Sequence, residues 1–547
     1  MGPLARVQGP QRFPLLLVRI SSNRRNRIGK NMSISSAASD EAYQAEITGR
    51  LSNKPSEVFQ HFRTLYRDRI PRTFNRDLNA YATTIGIALS TFQFSGPSGE
   101  RIFAACDSNG MAKFFQEIIM DPAFFKGPPH YVAQIMAAWG GMLRLSLLDS
   151  NRRRSEKLAE MLIDEALPVW GTLWQRREEI ETARGASLAE HWIVLECVAI
   201  LNTQFADFHQ SRNRLKAMFE TKIPHMGLYL WFHLRGYPKA DTVDRVLGPV
   251  RSMLENAATA LHVFAFLKVA VVDVLGGEPA IKRLLADIDE PSRVNYHLGN
   301  RIVLMGQFSR HPEMGRHFGR LRVFHSIANS IRRQRRIGVR EDQWVVWLFA
   351  ATFLEFVVTG LPMYSEIDQG TRQPLEGEDV AFLMARGANL CASGTVGKTP
   401  CNPSICANLV KTFIKFVPDS DMYPGDISQL NGSMKKALRN EWYPTLRRLR
   451  DARQIPHRSA PAYLELVDAW SQFGTHLGID EFVERDRLAR DVAHMCAWHE
   501  CEFHTTKSME TMHTCRGCGE TRYCGRECQT RDWKEGGHKL RCRRLKS

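Results

Sequence analysis

The sequence predicts an all-α body that carries a small, metal-nucleated module at its C-terminal end. Three observations predict it. Apolar residues recur at helical spacing from about residue 40 to about residue 490. Strand signals, meaning alternating β-branched and aromatic runs bounded by turn residues, are sparse throughout. Of the 12 cysteines, seven fall between positions 496 and 542, and burial of scattered thiols does not produce such clustering.

Length and composition set the frame. A chain of 547 residues exceeds one ordinary core and predicts several domains, although stacked helical arrays escape that rule. Its apolar fraction of 44% is that of a soluble globular protein. The net charge of +16 is unevenly spread. Residues 1–36 hold seven Lys or Arg and no acid, residues 507–547 contribute +6, and the long body between them is left with only +3. A nucleic-acid binder more often carries its basic face along the folded body, so the charge pattern argues against one.

The segment 1–39 is basic, with Arg6, Arg12, Arg19, Arg24, Arg25, Arg27 and Lys30. Three readings stay open. It could be a mitochondrial presequence, Arg-rich and acid-poor, although Pro10 and Pro14 interrupt the amphipathic helix this needs. It could be a disordered tail. Alternatively, Met32 is the working start. No secretory leader is recognised, which predicts a reducing compartment, cytoplasmic or nuclear, with mitochondrial import as the exception.

The helical body divides by its pattern into a first lobe, 40–361, an interruption rich in Gly, Pro and acid at 362–379, and a second lobe, 380–490. Val58, Phe62, Leu65, Tyr66 and Ile70 share one helical face, as do Leu158, Met161, Leu162, Ala166, Val169 and Leu173. Ser187 and Glu190 are spaced as a capping box ahead of Trp192, Leu195 and Val198. Residues 257–275 and 344–361 are apolar nearly all round, which predicts central helices packed on every side. Lys268, Asp273 and Glu355 interrupt them, and a bilayer span needs about 20 apolar residues with few charges. No membrane span is expected. Stacked antiparallel pairs of the armadillo or HEAT kind would suit the succession of helices. No fixed period emerges, so an irregular array stands beside that reading.

Several motifs in the body have ordinary structural readings. Ala392-Ser-Gly-Thr-Val-Gly397-Lys398-Thr399 fits a relaxed phosphate-binding pattern, but that chemistry needs a strand before the loop and a helix after it. Residues 380–390 read as helix, and Pro400 and Pro403 follow, so an irregular loop is expected from Gly394 to Thr399. Cys391, Cys401 and Cys406 lack an evident fourth metal partner and read as packed thiols, as do Cys106 and Cys197. Arg332, Arg333, Arg335 and Arg336 are placed to end a helix, where cations complement its dipole. Arg447, Arg448 and Arg450 read as a solvated face.

The C-terminal segment 491–547 carries the chemistry. Cys515 and Cys518 form a C-x2-C pair, Cys524 and Cys528 a C-x3-C pair, His538 and Cys542 an H-x3-C pair, and Cys496 and Cys501 a longer C-x4-C pair with His499 and His504 nearby. Zinc takes four soft or borderline ligands in a tetrahedron, and a structural site fills all four from protein. Eight ligands therefore predict two closed Zn2+ sites. Arg516, Arg522, Arg526, Lys539 and Arg541 lie among the ligands and would offset the thiolate charge. His499 and His504 stand five apart, one residue too many for a metalloprotease helix, where ligands at i and i+4 share a face. At i+5 they diverge by about 140°.

The run Cys515-x2-Cys518, Tyr523-Cys524-x3-Cys528-Gln529-x3-Trp533, His538-x3-Cys542 resembles the MYND zinc finger, at the Tyr, Gln and Trp positions as well as at the ligands. The resemblance covers 496–542. It implies a cross-brace, with Cys496, Cys501, Cys524 and Cys528 on one zinc and Cys515, Cys518, His538 and Cys542 on the other. It also implies a peptide groove lined by Gln529 and Trp533; packing of Trp533 into the small zinc core is the competing reading. The expected function is that of a non-enzymatic adaptor docking a short, Pro- or Leu-containing segment of a protein partner. MYND fingers also occur inside SET-type lysine methyltransferases, where catalytic core follows the finger. Only five residues follow Cys542 and no Asn-His-x-Cys signature is present, which disfavours that class. A transcriptional regulator contacting nucleic acid rests on the basic ends alone.

Overall fold

A computed structural model of the chain describes residues 34–69, 76–91, 97–148, 160–182, 188–212, 214–237, 240–255, 260–364, 377–393, 400–416, 426–452, 460–498, 501–504, 507–509 and 511–542. The fold is an all-α body with a small finger at the C-terminal end, as the sequence predicts. Two compact units divide the chain, Met1–Leu275 and Gly276–Ser547.

The first unit runs through α1 (Ile34–Asn53), α2 (Pro55–Arg67), α3 (Arg76–Thr91), α4 (Pro97–Ser108), α5 (Met111–Met120), α6 (Pro129–Leu148), α7 (Ala166–Gln175), α8 (Arg177–Thr182), α9 (Leu188–Ser211), α10 (Leu215–Glu220), α11 (Ile223–His233), α12 (Ala240–Glu255) and α13 (Ala260–Leu267). Helix α1 begins inside the stretch read as the basic N-terminal segment. Val58 and Phe62 are buried on α2 as their spacing requires. Leu162, Ala166, Val169 and Leu173 are likewise buried. Met161, placed on the same face, is 38% exposed. Leu158, Ile70 and the Ser187 capping box lie outside the described residues.

The core of this unit is aromatic. Trp139 of α6, Trp170 of α7 and Phe205 of α9 are fully buried, and Phe205 lies 4.7 Å from the first ring and 5.5 Å from the second. Helices α3 and α6 approach closely because glycine permits it. A Cβ at Gly141 would collide with the Leu89 backbone carbonyl, and one at Gly86 with the Gln134 side chain and backbone. Ala normally favours a helix over Gly by roughly 0.5–1 kcal/mol, but a clash with backbone has no cheap relief. Gly141→Ala is therefore expected to destabilise this unit by about 1–3 kcal/mol. A lower urea midpoint for the Met1–Leu275 transition would show it; an unchanged or higher midpoint would mean the helices separate freely.

The segment 257–275 departs from expectation. It is split into α13 and a five-residue π-turn, Lys268–Val272. Leu261 is 74% exposed and Val269 41% exposed, so it is not packed on every side. Lys268 reaches Asp273 at 2.7 Å on that open face.

The second unit contains α14 (Gly277–Asp289), α15 (Asn295–Ser309), α16 (Pro312–Gly315), α17 (Val323–Ile337), α18 (Gln343–Tyr364), α19 (Gly377–Ser393), α20 (Pro403–Phe416), α21 (Asp426–Ala452), α22 (Pro461–His476) and α23 (Glu481–Val492), followed by the finger. Helix α18, the second strongly apolar segment, is a central helix as predicted. Trp344, Val346, Trp347, Ala350, Phe353 and Leu354 are buried, and Glu355 faces solvent. Among the described residues no helix is long and apolar enough to cross a membrane.

Indole groups lock neighbouring helices here. Trp442 Nε1 donates to the Trp470 carbonyl at 2.8 Å, and Trp470 Nε1 donates back to the Trp442 carbonyl at 3.0 Å, which ties α21 to α22. Trp347 Nε1 donates to the Leu383 carbonyl at 2.8 Å, tying α18 to α19. The Trp442 indole lies where Gly474 leaves room for it, and the Trp347 indole where Gly387 does. Helix lengths run from four residues in α16 to 27 in α21, which suits the irregular array better than a repeat of fixed unit length.

Arginines read as helix-end or solvated charges are partly structural. Arg332 reaches Asp379 at 3.4 Å and lies over the Phe382 ring. Arg333 donates to the Ile288 and Arg293 carbonyls. Arg450 pairs with Glu481. Cys391 and Cys406 are buried with their sulfurs 3.5 Å apart. The residues ahead of Gly394 are helical to Ser393, which denies that loop the strand a phosphate cradle requires. The loop itself, 394–399, and most of the 362–379 interruption lie outside the described residues.

Candidate metal centre

The finger starts where α23 ends. Lys507 Nζ pairs with Asp491 at 2.7 Å, and Ser508 N–H donates to the His494 carbonyl at 2.9 Å, so the first loop is tied to the helix end. A short antiparallel pair follows, β1 (His513–Thr514) and β2 (Arg522–Tyr523), with His513 opposite Tyr523. Gly519, at φ +69°, turns the chain between them, a left-handed conformation that glycine adopts without penalty. Helix α24 (Arg526–Lys534) and the single turn α25 (His538–Arg541) complete the module. Gly537, at φ +75°, separates the two helices.

These elements gather the eight predicted ligands into two groups. Cys496, Cys501, Cys524 and Cys528 form one, and Cys515, Cys518, His538 and Cys542 the other, with all donor atoms of each group within 4.8 Å of one another. A tetrahedral zinc with Zn–S near 2.3 Å sets its sulfurs about 3.8 Å apart, and a nitrogen ligand about 3.5 Å from each sulfur. In the first group Cys524 Sγ is 3.4 Å from Cys501, 3.5 Å from Cys528 and 3.8 Å from Cys496. In the second, His538 Nε2 is 3.4 Å from Cys515 Sγ and 3.8 Å from Cys518 Sγ. The spacing fits one zinc in each group, and two Zn2+ ions account for all eight donors. The pairs interleave along the chain, as the resemblance implies.

Neighbouring groups orient the ligands. With Nε2 turned to the thiolates, His538 Nδ1 carries the proton and faces Thr521 Oγ1 at 3.4 Å; the same hydroxyl lies 3.5 Å from Cys518 Sγ. Such contacts fix the tautomer and ring plane of a metal-bound histidine. Burial pushes the Cys518 thiol up, but the Thr521 hydroxyl and the Glu520 and Thr521 backbone outweigh it and bring the thiol down to about 7. Burial, with the sulfurs of Cys501 and its neighbours, holds the Cys524 thiol well above its usual range, so here the cation itself must displace the proton. Backbone bonds set the loops: Cys515 N–H donates to the Thr521 carbonyl at 2.7 Å, and Ala497 N–H to the Arg522 carbonyl at 2.8 Å.

His504, which neighbours the long first pair, belongs to neither donor group, and its Nδ1 lies 2.9 Å from the Cys496 carbonyl oxygen. His499 lies outside the described residues. Of the expected counter-charges, Arg522 donates to the Ala493 carbonyl at 3.2 Å, while Arg516, Arg526 and Lys539 are exposed. Besides the ligands the finger buries little, chiefly Trp498, Met512 and Tyr523. Asp532 is the support that sequence reasoning missed. It is buried in α24 and accepts a 2.8 Å hydrogen bond from the Tyr523 hydroxyl, and burial together with that carboxylate holds the phenol well above its usual range. Thr521 was missed for the same reason, since neither residue type is diagnostic alone.

Gln529 and Trp533 stand four apart on α24, and both are half-buried. The Trp533 ring meets the His538 imidazole edge-on at 5.8 Å. The indole thus both covers a ligand and keeps an accessible face.

Two interleaved, fully protein-ligated tetrads around a miniature core define the class: a structural zinc finger of cross-braced type. Within it, residues 496–542 match the family model of the MYND finger. The match places the finger and leaves the helical body outside it. No curated protein matches the chain.

Proposed function

We propose that the chain acts by binding rather than by catalysis, as an adaptor whose MYND finger holds a short segment of a protein partner. MYND fingers commonly mediate protein–protein interactions, which supports the general class. The observation that carries the reading is coordination. Each candidate zinc has four protein donors, which leaves no position for the water or substrate that a catalytic zinc activates. The useful surface is then the one around the ions. Gln529 and Trp533, half-buried on one face of α24, offer an amide and an indole side by side, and tryptophan is among the residues that dominate binding hot spots.

Calorimetric titration of the zinc-loaded full-length chain with Pro-x-Leu peptides tests this. Saturable binding is expected, with at least a tenfold loss in Trp533→Ala and a smaller loss in Gln529→Ala. Because Trp533 packs on His538, zinc content is measured in each variant. Equal affinity of wild type and Trp533→Ala, both with two zinc equivalents, would remove α24 as the docking surface.

A further inference from the structure

Three arginines from three helices of the second unit converge, and among the described residues none of them takes the carboxylate partner that arginine takes elsewhere in the same unit. Arg386 lies on α19, Arg448 on α21, and Arg335 in the last turn of α17. Arg386 Nη2 donates to Gln343 Oε1 at 2.6 Å, and Gln343 Nε2 reaches the Arg335 carbonyl at 3.4 Å. Asn389 follows Arg386 by three residues, so the two share a face of α19. It accepts from Arg448 Nη1 at 3.0 Å while its own amide donates to Thr445 Oγ1 at 3.0 Å. Arg386 and Arg448 are therefore held by amide oxygens, and Arg335 is tied to the same network through its backbone carbonyl.

An amide oxygen orients a guanidinium but cancels none of its charge. Other arginines of this unit meet carboxylates: Arg301 meets Asp287, Arg332 meets Asp379, Arg450 meets Glu481, and Arg487 meets Glu484. Among the described residues no carboxylate forms an ion pair with Arg335, Arg386 or Arg448; Glu441 attracts Arg448 only from a distance. Burial, with Arg335 and Arg448 as nearby like charges, brings Arg386 down to about 10, and burial with Arg335 also lowers Arg448. Arg386 is half-buried, whereas Arg335 and Arg448 are exposed, so the cluster has a recessed base and an open rim. Two guanidinium groups oriented by amides, with Arg335 as a third cation and no carboxylate paired to any of them among the described residues, suit a compact multivalent anion, because guanidinium groups bind phosphate oxygens through paired, charge-assisted hydrogen bonds.

We propose that Arg335, Arg386 and Arg448 form an anion site that takes a phosphate monoester dianion. It is separate from the zinc finger and independent of the docking surface on α24. The dianion reaches it either as a free phosphate compound or on a phosphorylated side chain of a partner.

The zinc-loaded full-length chain is titrated calorimetrically with inorganic phosphate, with ionic strength held constant by sodium chloride. A second arm uses a phosphoserine peptide that carries no other net charge, with its unphosphorylated form as control. Arg335→Gln and Arg448→Gln change exposed side chains and should retain the circular dichroism of the wild type. Arg386→Gln adds the recessed cation, and its fold is checked in the same way. One saturable site per chain is expected, weakened at least tenfold in Arg335→Gln and in Arg448→Gln. Tighter binding of the phosphopeptide than of inorganic phosphate would assign the dianion to a partner side chain; the reverse order would assign it to a free compound. Absence of saturation by either probe, or equal affinity in wild type and in both exposed variants, would overturn the site.

Discussion

Removing both zinc ions from the full-length chain is expected to unfold residues 496–542 while the helical signal of the body persists. The finger buries Trp498, Met512 and Tyr523 besides its ligands, far too little apolar surface to offset the ordering of nearly fifty residues. Zinc supplies the difference, with apparent binding free energies of roughly 10–16 kcal/mol per structural site. Amide exchange checks the result. After chelation, protection should vanish at β1, β2 and α24 and persist in α18, α21 and α22. Cys524→Ser attacks one tetrad and His538→Ser the other, and each should reduce bound zinc below two equivalents. The sites should also fail together in part, because Cys524 and Cys528 lie in the chain between Cys518 and His538. Undiminished protection at β2 in metal-free protein would show that the helical unit alone folds the finger, through contacts such as Lys507–Asp491.

The zinc ligands were legible because metal chemistry restricts residue type and loop length together. Few other forces place seven cysteines and a histidine at spacings of two to four residues. Which four share an ion was not legible from spacing, since neighbouring pairs could equally close on one another. The resemblance supplied the interleaved pairing, and the folded chain brings those same groups together. Thr521 and Asp532 could not be seen in advance, because a lone hydroxyl or carboxylate becomes a support only when folding sets it beside His538 or Tyr523. In the body, period and apolarity revealed helices such as α2 and α18. They did not reveal where helices touch most closely, because Gly141 acts by what it lacks. They also misjudged residues 257–275, since apolar composition reports a preference for burial, and tertiary structure leaves Leu261 and Val269 exposed all the same. Arginine runs were least legible. The same residue type is paired with carboxylate at Arg332 and held by amides at Arg386, a difference made entirely by residues distant in sequence.

Asp287→Ala is expected to destabilise the second unit by about 3–5 kcal/mol, the range for removing one partner from a buried ionic cluster. Asp287, near the end of α14, is 5% exposed, and three arginines face its carboxylate. Arg283 pairs with it from one turn earlier, Arg301 Nε lies 3.4 Å away on α15, and Arg293 Nη2 lies 3.9 Å away on the connection between the helices. Arg301 has no exposed surface at all, so it cannot recover water when the carboxylate goes. The cost thus arises mainly from cations left buried, beyond the loss of the contacts themselves. Two further variants separate these terms. Asp287→Asn keeps an acceptor oxygen but no charge, and should cost nearly as much as Asp287→Ala if charge dominates. Adding Arg301→Met to Asp287→Ala removes the most deeply buried cation and should restore part of the loss, since apolar replacement of buried ionic groups is often neutral or favourable. Urea denaturation followed by amide exchange in α14 and α15 reads both. A midpoint for Asp287→Ala equal to that of the wild type would mean that water or another acceptor already serves these arginines, and that the carboxylate does not hold α14 to α15.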